Sequence, residues 1–112
     1  MRQVTRGHES QVFDRNGVEI RPGHRVRVKW PYYFINIRVD EGVVRRVDEH
    51  HGVTIDTDNP VPHFNREGFV VHDEPWTYFP AEYDYQRRVW VAYGLVGDPH
   101  EHGQQEIWIE VI

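Results

Sequence analysis

Hydrophobic and polar residues alternate along this chain in short runs, and turn-forming residues separate the runs. From His24 to Trp30 the period is two, with Val26, Val28 and Trp30 on one side of an extended segment and Arg25, Arg27 and Lys29 on the other. Pro31 ends that run. Ile35, Ile37 and Val39 then alternate with Asn36 and Arg38, and Glu41-Gly42 leads into a strand over Val43–Val47. Asp48–Gly52 reads as a loop, and Val53-Thr54-Ile55 continues beyond it. Nearer the N-terminus, Val12-Phe13 and Val18-Glu19-Ile20 flank Asp14-Arg15-Asn16-Gly17, a hairpin signal because Asn and Gly both tolerate positive φ. Pro22-Gly23 marks a second turn.

In the second half, 59–67 reads as loop, Gly68–His72 as strand, Asp73-Glu74-Pro75 as turn and Trp76–Phe79 as strand. Pro80–Tyr85 suits one turn of 3₁₀ helix, because proline fits a helix start. Arg88–Tyr93 and Ile107–Ile112 read as the last strands, across a loop at 94–106. No segment sustains a 3.6-residue apolar period, so helix content is expected to be low. About eight short strands with turns every 8–12 residues predict an all-β barrel or sandwich. With 13% aromatic residues, the core is expected to rest on Trp and Tyr as much as on aliphatics. A length of 112 residues predicts one β-barrel domain over 11–112, preceded by a mobile segment at 1–10.

Residues 20–85 resemble an SH3-like small barrel. Ile20-Arg21-Pro22-Gly23-His24-Arg25-Val26-Arg27-Val28 is similar to the turn-then-strand entry of such barrels, KOW-type ones included. Glu41-Gly42-Val43-Val44 and Gly52-Val53-Thr54-Ile55 resemble their paired central strands. Trp76-Thr77-Tyr78-Phe79-Pro80-Ala81-Glu82-Tyr83 resembles the strand and 3₁₀ turn before the last strand of SH3 domains. Two features depart from those families: His24 stands where KOW motifs carry an acid, and Ala81-Glu82-Tyr83-Asp84-Tyr85 lies near the end of the chain rather than at its start. The resemblance implies an SH3-like barrel with additional N- and C-terminal strands, little helix beyond one short 3₁₀ turn, and no particular function.

Charge adds an asymmetry. The net charge is −5, but residues 1–46 carry a balance of +5 and residues 47–112 a balance of −10. There are no cysteines, which excludes disulfides, thiolate metal sites and a cysteine nucleophile. Met1–Arg6 lacks the apolar stretch of a signal peptide, and no apolar run reaches membrane-spanning length. A cytoplasmic protein without membrane association is expected.

Three groups of residues could carry function. Trp76, Tyr78, Tyr83 and Tyr85, with Pro80, could form an aromatic groove for an extended or proline-rich peptide. Arg25, Arg27 and Lys29, with Arg38, Arg45 and Arg46, could match the phosphate spacing of a nucleic-acid strand, and Tyr32 and Tyr33 could stack on bases. His50, His51, His63, His72, His100 and His102, with Asp56 and Asp58, supply metal-ligand atoms without a diagnostic spacing. Ser10 is the only serine, and no nucleophile, phosphate-loop or metalloprotease motif is present. The leading expectation is therefore a non-catalytic module, without cofactor or bound metal. It would bind a protein partner, or a second copy of itself, through the aromatic groove or the terminal strand Ile107–Ile112. A small stand-alone barrel of this type fits an accessory protein of a phage or a bacterial complex. A nucleic-acid-binding barrel is the alternative, and a histidine metal site or an enzyme stands behind both.

Overall fold

The computed structural model describes residues 10–32, 36–101 and 103–112. They form nine strands: β1 (Val12–Phe13), β2 (Arg25–Pro31), β3 (Ile37–Val47), β4 (Gly52–Phe64), β5 (Val70–Pro80), β6 (Glu82–Asp84), β7 (Val89–Val91), β8 (Tyr93–Val96) and β9 (Gln105–Val111). The all-β class is as expected, and there is no helix among the described residues. The segment proposed as mobile at 1–10 falls, apart from Ser10, outside the described residues.

The strands build two open sheets, a six-stranded one in the order β5-β4-β3-β2-β9-β8 and a three-stranded one in the order β1-β7-β6. The expected barrel is therefore corrected in one respect: among the described residues it is not closed. Closure would require β5 to pair with β8, and these strands lie at opposite ends of the large sheet. Pro75 and Pro80 on the free edge of β5 lack the N–H groups a closing ladder needs.

Three tight turns share one construction. At Asp14, Asp48 and Asn65 a side-chain oxygen accepts two backbone N–H groups, from residues two and four further on, at 2.8–3.0 Å. The backbone N–H of each also donates to the carbonyl four residues on. The fourth residue of each turn takes positive φ: Gly17 at 87°, His51 at 65° and Gly68 at 89°. An Asx side chain thus replaces the ladder bonds that a reversing backbone gives up.

Four other expectations are revised. The loop expected at 59–67 is mostly strand, since β4 continues to Phe64 and only Asn65–Phe69 turns. The turn expected at Asp73–Pro75 is the interior of β5, and an edge strand tolerates proline because it has no partner on its outer side to need the missing N–H. The 3₁₀ turn expected at Pro80–Tyr85 is replaced by β6 and a tight turn, in which Asp84 Oδ1 accepts from Gln86 N and Arg87 N. Within the loop expected at 94–106, Tyr93–Val96 pairs with Gln105–Trp108.

One core joins both sheets. Val26, Val28, Val44, Val53, Ile55, Phe79, Ile107 and Ile109 come from the large sheet, and Val12, Ile20 and Ala92 lie on or beside the small one. No Trp or Tyr is fully buried among the described residues; Trp30 and Trp90 pack only partly against the core. The fully buried apolar residues are aliphatic apart from Phe79, which corrects the expected reliance on Trp and Tyr. Hydrogen bonds to β9 seat the small sheet: the Ala92 carbonyl accepts from Ile109 N at 3.0 Å, the Ile109 carbonyl from Arg15 N at 3.2 Å, and Asp14 Oδ2 from Val111 N at 2.8 Å.

Candidate interaction surface

Residues opposite one another in a ladder point to the same face of a sheet. The register therefore sorts the candidate residues. Val26 and Val28 face the core, so Arg25, Arg27 and Lys29 face outward, and through their partners Val43, Glu41 and Val39 do the same. Across β4 and β5, Thr54 with Tyr78 and Asp56 with Trp76 continue this outer face, while Phe79 is buried. A bulge between Val44 and Arg46 turns both Arg45 and Arg46 outward. Trp76, Tyr78 and five of the basic residues thus share one surface.

Arg38 does not share it. It lies opposite Trp30 in the register, on the core-facing side. There its Nε donates to Asp40 Oδ2 at 2.8 Å, the same oxygen that accepts from the Trp30 indole N–H, and its guanidinium covers the Tyr32 ring at 5.3 Å. Tyr32 donates its hydroxyl to the Pro62 carbonyl, which braces the base of the β4–β5 hairpin.

Carboxylates interleave with the outer cations. Arg25 grips Asp58 with both terminal nitrogens and lies 3.8 Å from Glu41. Arg27 meets Glu41 at 2.9 Å and Glu110 at 3.9 Å, and Arg45 meets Asp56 at 2.5 Å. The hydrogen bond from Arg25 holds the Asp58 carboxyl below its ordinary value, and the bonds to Asp58 and Asp56 raise Arg25 and Arg45. Lys29 and Arg46 enter no ion pair among the described residues.

The aromatic candidates divide into two groups. Trp76 is 36% and Tyr78 41% exposed on the outer face. Tyr78 lies over Gly52, and its hydroxyl donates to Asp48 Oδ2 at 3.0 Å. Burial pushes the Asp48 carboxyl up, but bonds from Gly52 N, the Tyr78 hydroxyl and His50 N outweigh it and the net shift is downward. Burial, then the bond to Asp48, pushes the Tyr78 phenol up. Tyr83 and Tyr85 instead belong to the small sheet and its turn. Tyr83 meets Tyr85 edge to face at 4.9 Å and Trp90 at 5.3 Å, and His51 stacks on Trp90 at 3.9 Å. Pro80, exposed, ends β5. The terminal strand Ile107–Ile112 is corrected as a free pairing edge, because β9 is bonded to β2 on one side and β8 on the other.

A surface absent from the sequence expectations lies on the β4–β5 hairpin. β3 pairs with β4 only as far as Thr57, and among the described residues the hairpin has no ladder to β3 from Asp58 onward. β4 and β5 run on together through Phe64 and Val70, and the molecule measures 57 × 33 × 24 Å. At the tip of this arm Phe69 is 70%, Val70 55%, Val71 55% and Phe64 39% exposed. Val71 falls at a bulge between the His63–His72 and Phe64–Val70 pairs. The Phe69-Val70-Val71 run was the available signal. The run lies within the strand expected at Gly68–His72, and an apolar run in a strand gives no sign that its side chains stay exposed.

The histidines are dispersed. His63 Nε2 meets Glu74 at 2.8 Å across the arm, His51 stacks on Trp90, and His24 Nδ1 accepts from Arg21 N. Among the described residues no three His, Asp or Glu side chains gather as a metal set. Tyr33, His102 and the side chain of His72 lie outside the described residues. Among the described residues no helix is long and apolar enough to cross a membrane. Comparison with protein-family models, with curated proteins and with solved structures finds no match.

Proposed function

We propose that this protein is a non-catalytic interaction module that binds a protein partner through the β4–β5 arm and the adjoining outer face of the large sheet. The observation that carries this reading is the arm itself, a paired hairpin that runs on beyond its ladder with β3, with Phe69, Val70 and Val71 each more than half exposed. Contiguous apolar exposure rimmed by polar residues marks an association surface. Trp76 and Tyr78, on the same hairpin nearer the body, extend it with aromatic side chains of the kind enriched at interfaces.

The nucleic-acid alternative loses support from the ion pairs that occupy Arg25, Arg27 and Arg45 and from the core-facing position of Arg38. A strand-shaped phosphate track needs cations clear of carboxylates.

The test is affinity capture from a lysate of the source organism with the wild-type chain and with Phe69→Glu/Val71→Glu. Proteins retained by the wild type and lost with the variant, at an unchanged melting temperature, support the reading. Identical retention by both overturns it. Fluorescence anisotropy with labelled single-stranded RNA and DNA at low salt addresses the alternative, and tight, salt-sensitive binding would reinstate it.

A further inference from the structure

We infer that the arm of one copy docks on the outer sheet face of a second copy, reciprocally, so that the chain pairs with itself. This rests on the reading of the arm as an association surface and names its occupant. Charge carries the first step. Outward from the base of the arm, Glu67 and Asp73 are exposed acids facing a single exposed cation, Arg66. On the outer face, Lys29 and Arg46 are the cations that its own carboxylates leave unpaired among the described residues. They stand at two corners of a face on which Trp76 and Tyr78 are neighbours on β5, and Val39 (54% exposed) and Val43 (36%) are set among the Arg27–Glu41 and Arg45–Asp56 pairs. An arm with exposed acids and an apolar tip therefore meets, on another copy, exposed aromatic and valine side chains beside two cations that enter no ion pair among the described residues.

Area carries the second step. A patch formed by Phe64, Phe69, Val70 and Val71 is a few hundred Å² at most, on the order of 300–600 Å². A stable pair buries about 800 Å² on each partner. Tip-to-tip contact alone is too small. Reciprocal docking, in which each copy gives an arm and receives one, uses both surfaces of each chain and doubles the buried area. A twofold axis generates this arrangement, because each surface then meets the other twice. The edge of β5 offers no larger alternative: Pro75 and Pro80 interrupt its donors, and direct antiparallel pairing of two β5 edges near Asp73 and Glu74 would oppose acid to acid.

Analytical ultracentrifugation across micromolar concentrations tests the pairing. The wild type is expected to dimerise, and Phe69→Glu/Val71→Glu to sediment as a monomer at an unchanged melting temperature. Arg46→Glu is expected to weaken the dimer about tenfold. Because the chain has no cysteine, Val71→Cys and Val43→Cys proteins can be mixed and oxidised to report which surfaces meet. A disulfide between the two species supports the proposal, whereas predominance of Val71→Cys joined to itself indicates a tip-to-tip contact and overturns it. A wild type that stays monomeric also overturns it. If that monomer still loses its captured proteins when Phe69 and Val71 are replaced, the arm remains an association surface and only the identity of its occupant was wrong.

Discussion

Asp14 and Asp48 build the same turn, yet their neutral isosteres are expected to behave differently. The Asp14 side chain is fully buried and accepts three backbone N–H groups: Asn16 and Val18 at Oδ1, and Val111 at Oδ2. In Asp14→Asn the remaining oxygen still serves Asn16 and Val18. The new amide NH₂ then faces the Val111 N–H, donor against donor, at the point where the N-terminal hairpin is tied to β9. Leaving a buried donor unsatisfied costs about 1–3 kcal/mol, and the two surviving bonds lose their charge assistance, so the total is about 3 kcal/mol. With an m-value of about 2 kcal/mol/M in urea, the midpoint falls by roughly 1.5 M.

At Asp48 the second oxygen meets a hydroxyl rather than an N–H. The Tyr78 hydroxyl both donates and accepts, so the amide of Asp48→Asn can donate to it after the hydroxyl rotates. The expected cost is below about 1 kcal/mol. Urea denaturation of both variants at pH 7, followed by tryptophan fluorescence, measures the difference. Equal midpoint shifts for the two variants would refute the donor-against-donor argument, because their turns are otherwise bonded alike.

Other consequences follow from the same geometry. Asp48 is depressed in the folded state, so its contribution is fully present above the unfolded carboxylate value and is lost as pH falls through the lower folded value. Tyr78→Phe removes one cause of the depression, so melting temperatures of variant and wild type should differ near neutrality and converge in strong acid; parallel curves would count against it. Tyr78 is raised, so it favours folding below the unfolded phenol value and loses that effect as pH rises through the folded one. Tyr93 is raised too, by its hydrogen bond to Glu106, so ultraviolet titration should show two late phenols in the wild type and one in Tyr78→Phe. A Cβ at Gly42 would meet the Asp56 carbonyl oxygen at 2.0 Å, whereas at Gly52 it meets the Tyr78 hydroxyl at 1.7 Å. Gly42→Ala should therefore prevent folding or unfold at much lower urea, while Gly52→Ala should fold and reproduce the acid behaviour of Tyr78→Phe. His51 holds φ 65° and stacks on Trp90; Ala keeps the strain and loses the stacking, so His51→Gly should be more stable than His51→Ala by about 1 kcal/mol in urea melts.

What could be read in the sequence is what depends on neighbours along the chain. The alternation of Val26, Val28 and Trp30 against Arg25, Arg27 and Lys29 gave β2 and its faces correctly, because a strand's two-residue period is local. Asp14–Gly17 was legible as a turn for the same reason. The identical construction at Asn65–Phe69 was not, because two nearby prolines suggested loop and nothing local shows that β4 has its partner on one side only there. Pro75 misled in the same way: a proline argues against a strand until one knows that the strand is an edge. Arg38 was grouped with the outward cations because alternation orders residues within a strand but does not fix how β3 registers on β2. The ion pairs were invisible for the same reason. Arg25 and Asp58 are 33 residues apart and meet only because two ladders place them side by side. The barrel was an inference from strand count and from a likeness to SH3-like barrels over residues 20–85, and neither says which edges join.

The edges themselves separate the parts of this fold that avoid pairing from the part that does not. β6 has three residues and β8 four, too short to recruit another strand firmly. The inner half of β5 carries Pro75 and Pro80 and is flanked by Asp73 and Glu74, which remove donors and add charge where an intruding strand would lie. Beyond Asp73 these protections stop. Val70 and Val71 are exposed on a β-branched, uncharged stretch, followed at the turn by Phe69. Folding gains little from leaving three large apolar side chains in water at the end of a lever. A hairpin stabilised by the Asn65 turn and braced by Tyr32 against Pro62 keeps them there in a defined orientation. Protection of the β6, β8 and inner β5 edges makes the tip the selective place for contact among these, and a partner that buries it gains the apolar area that the monomer leaves exposed.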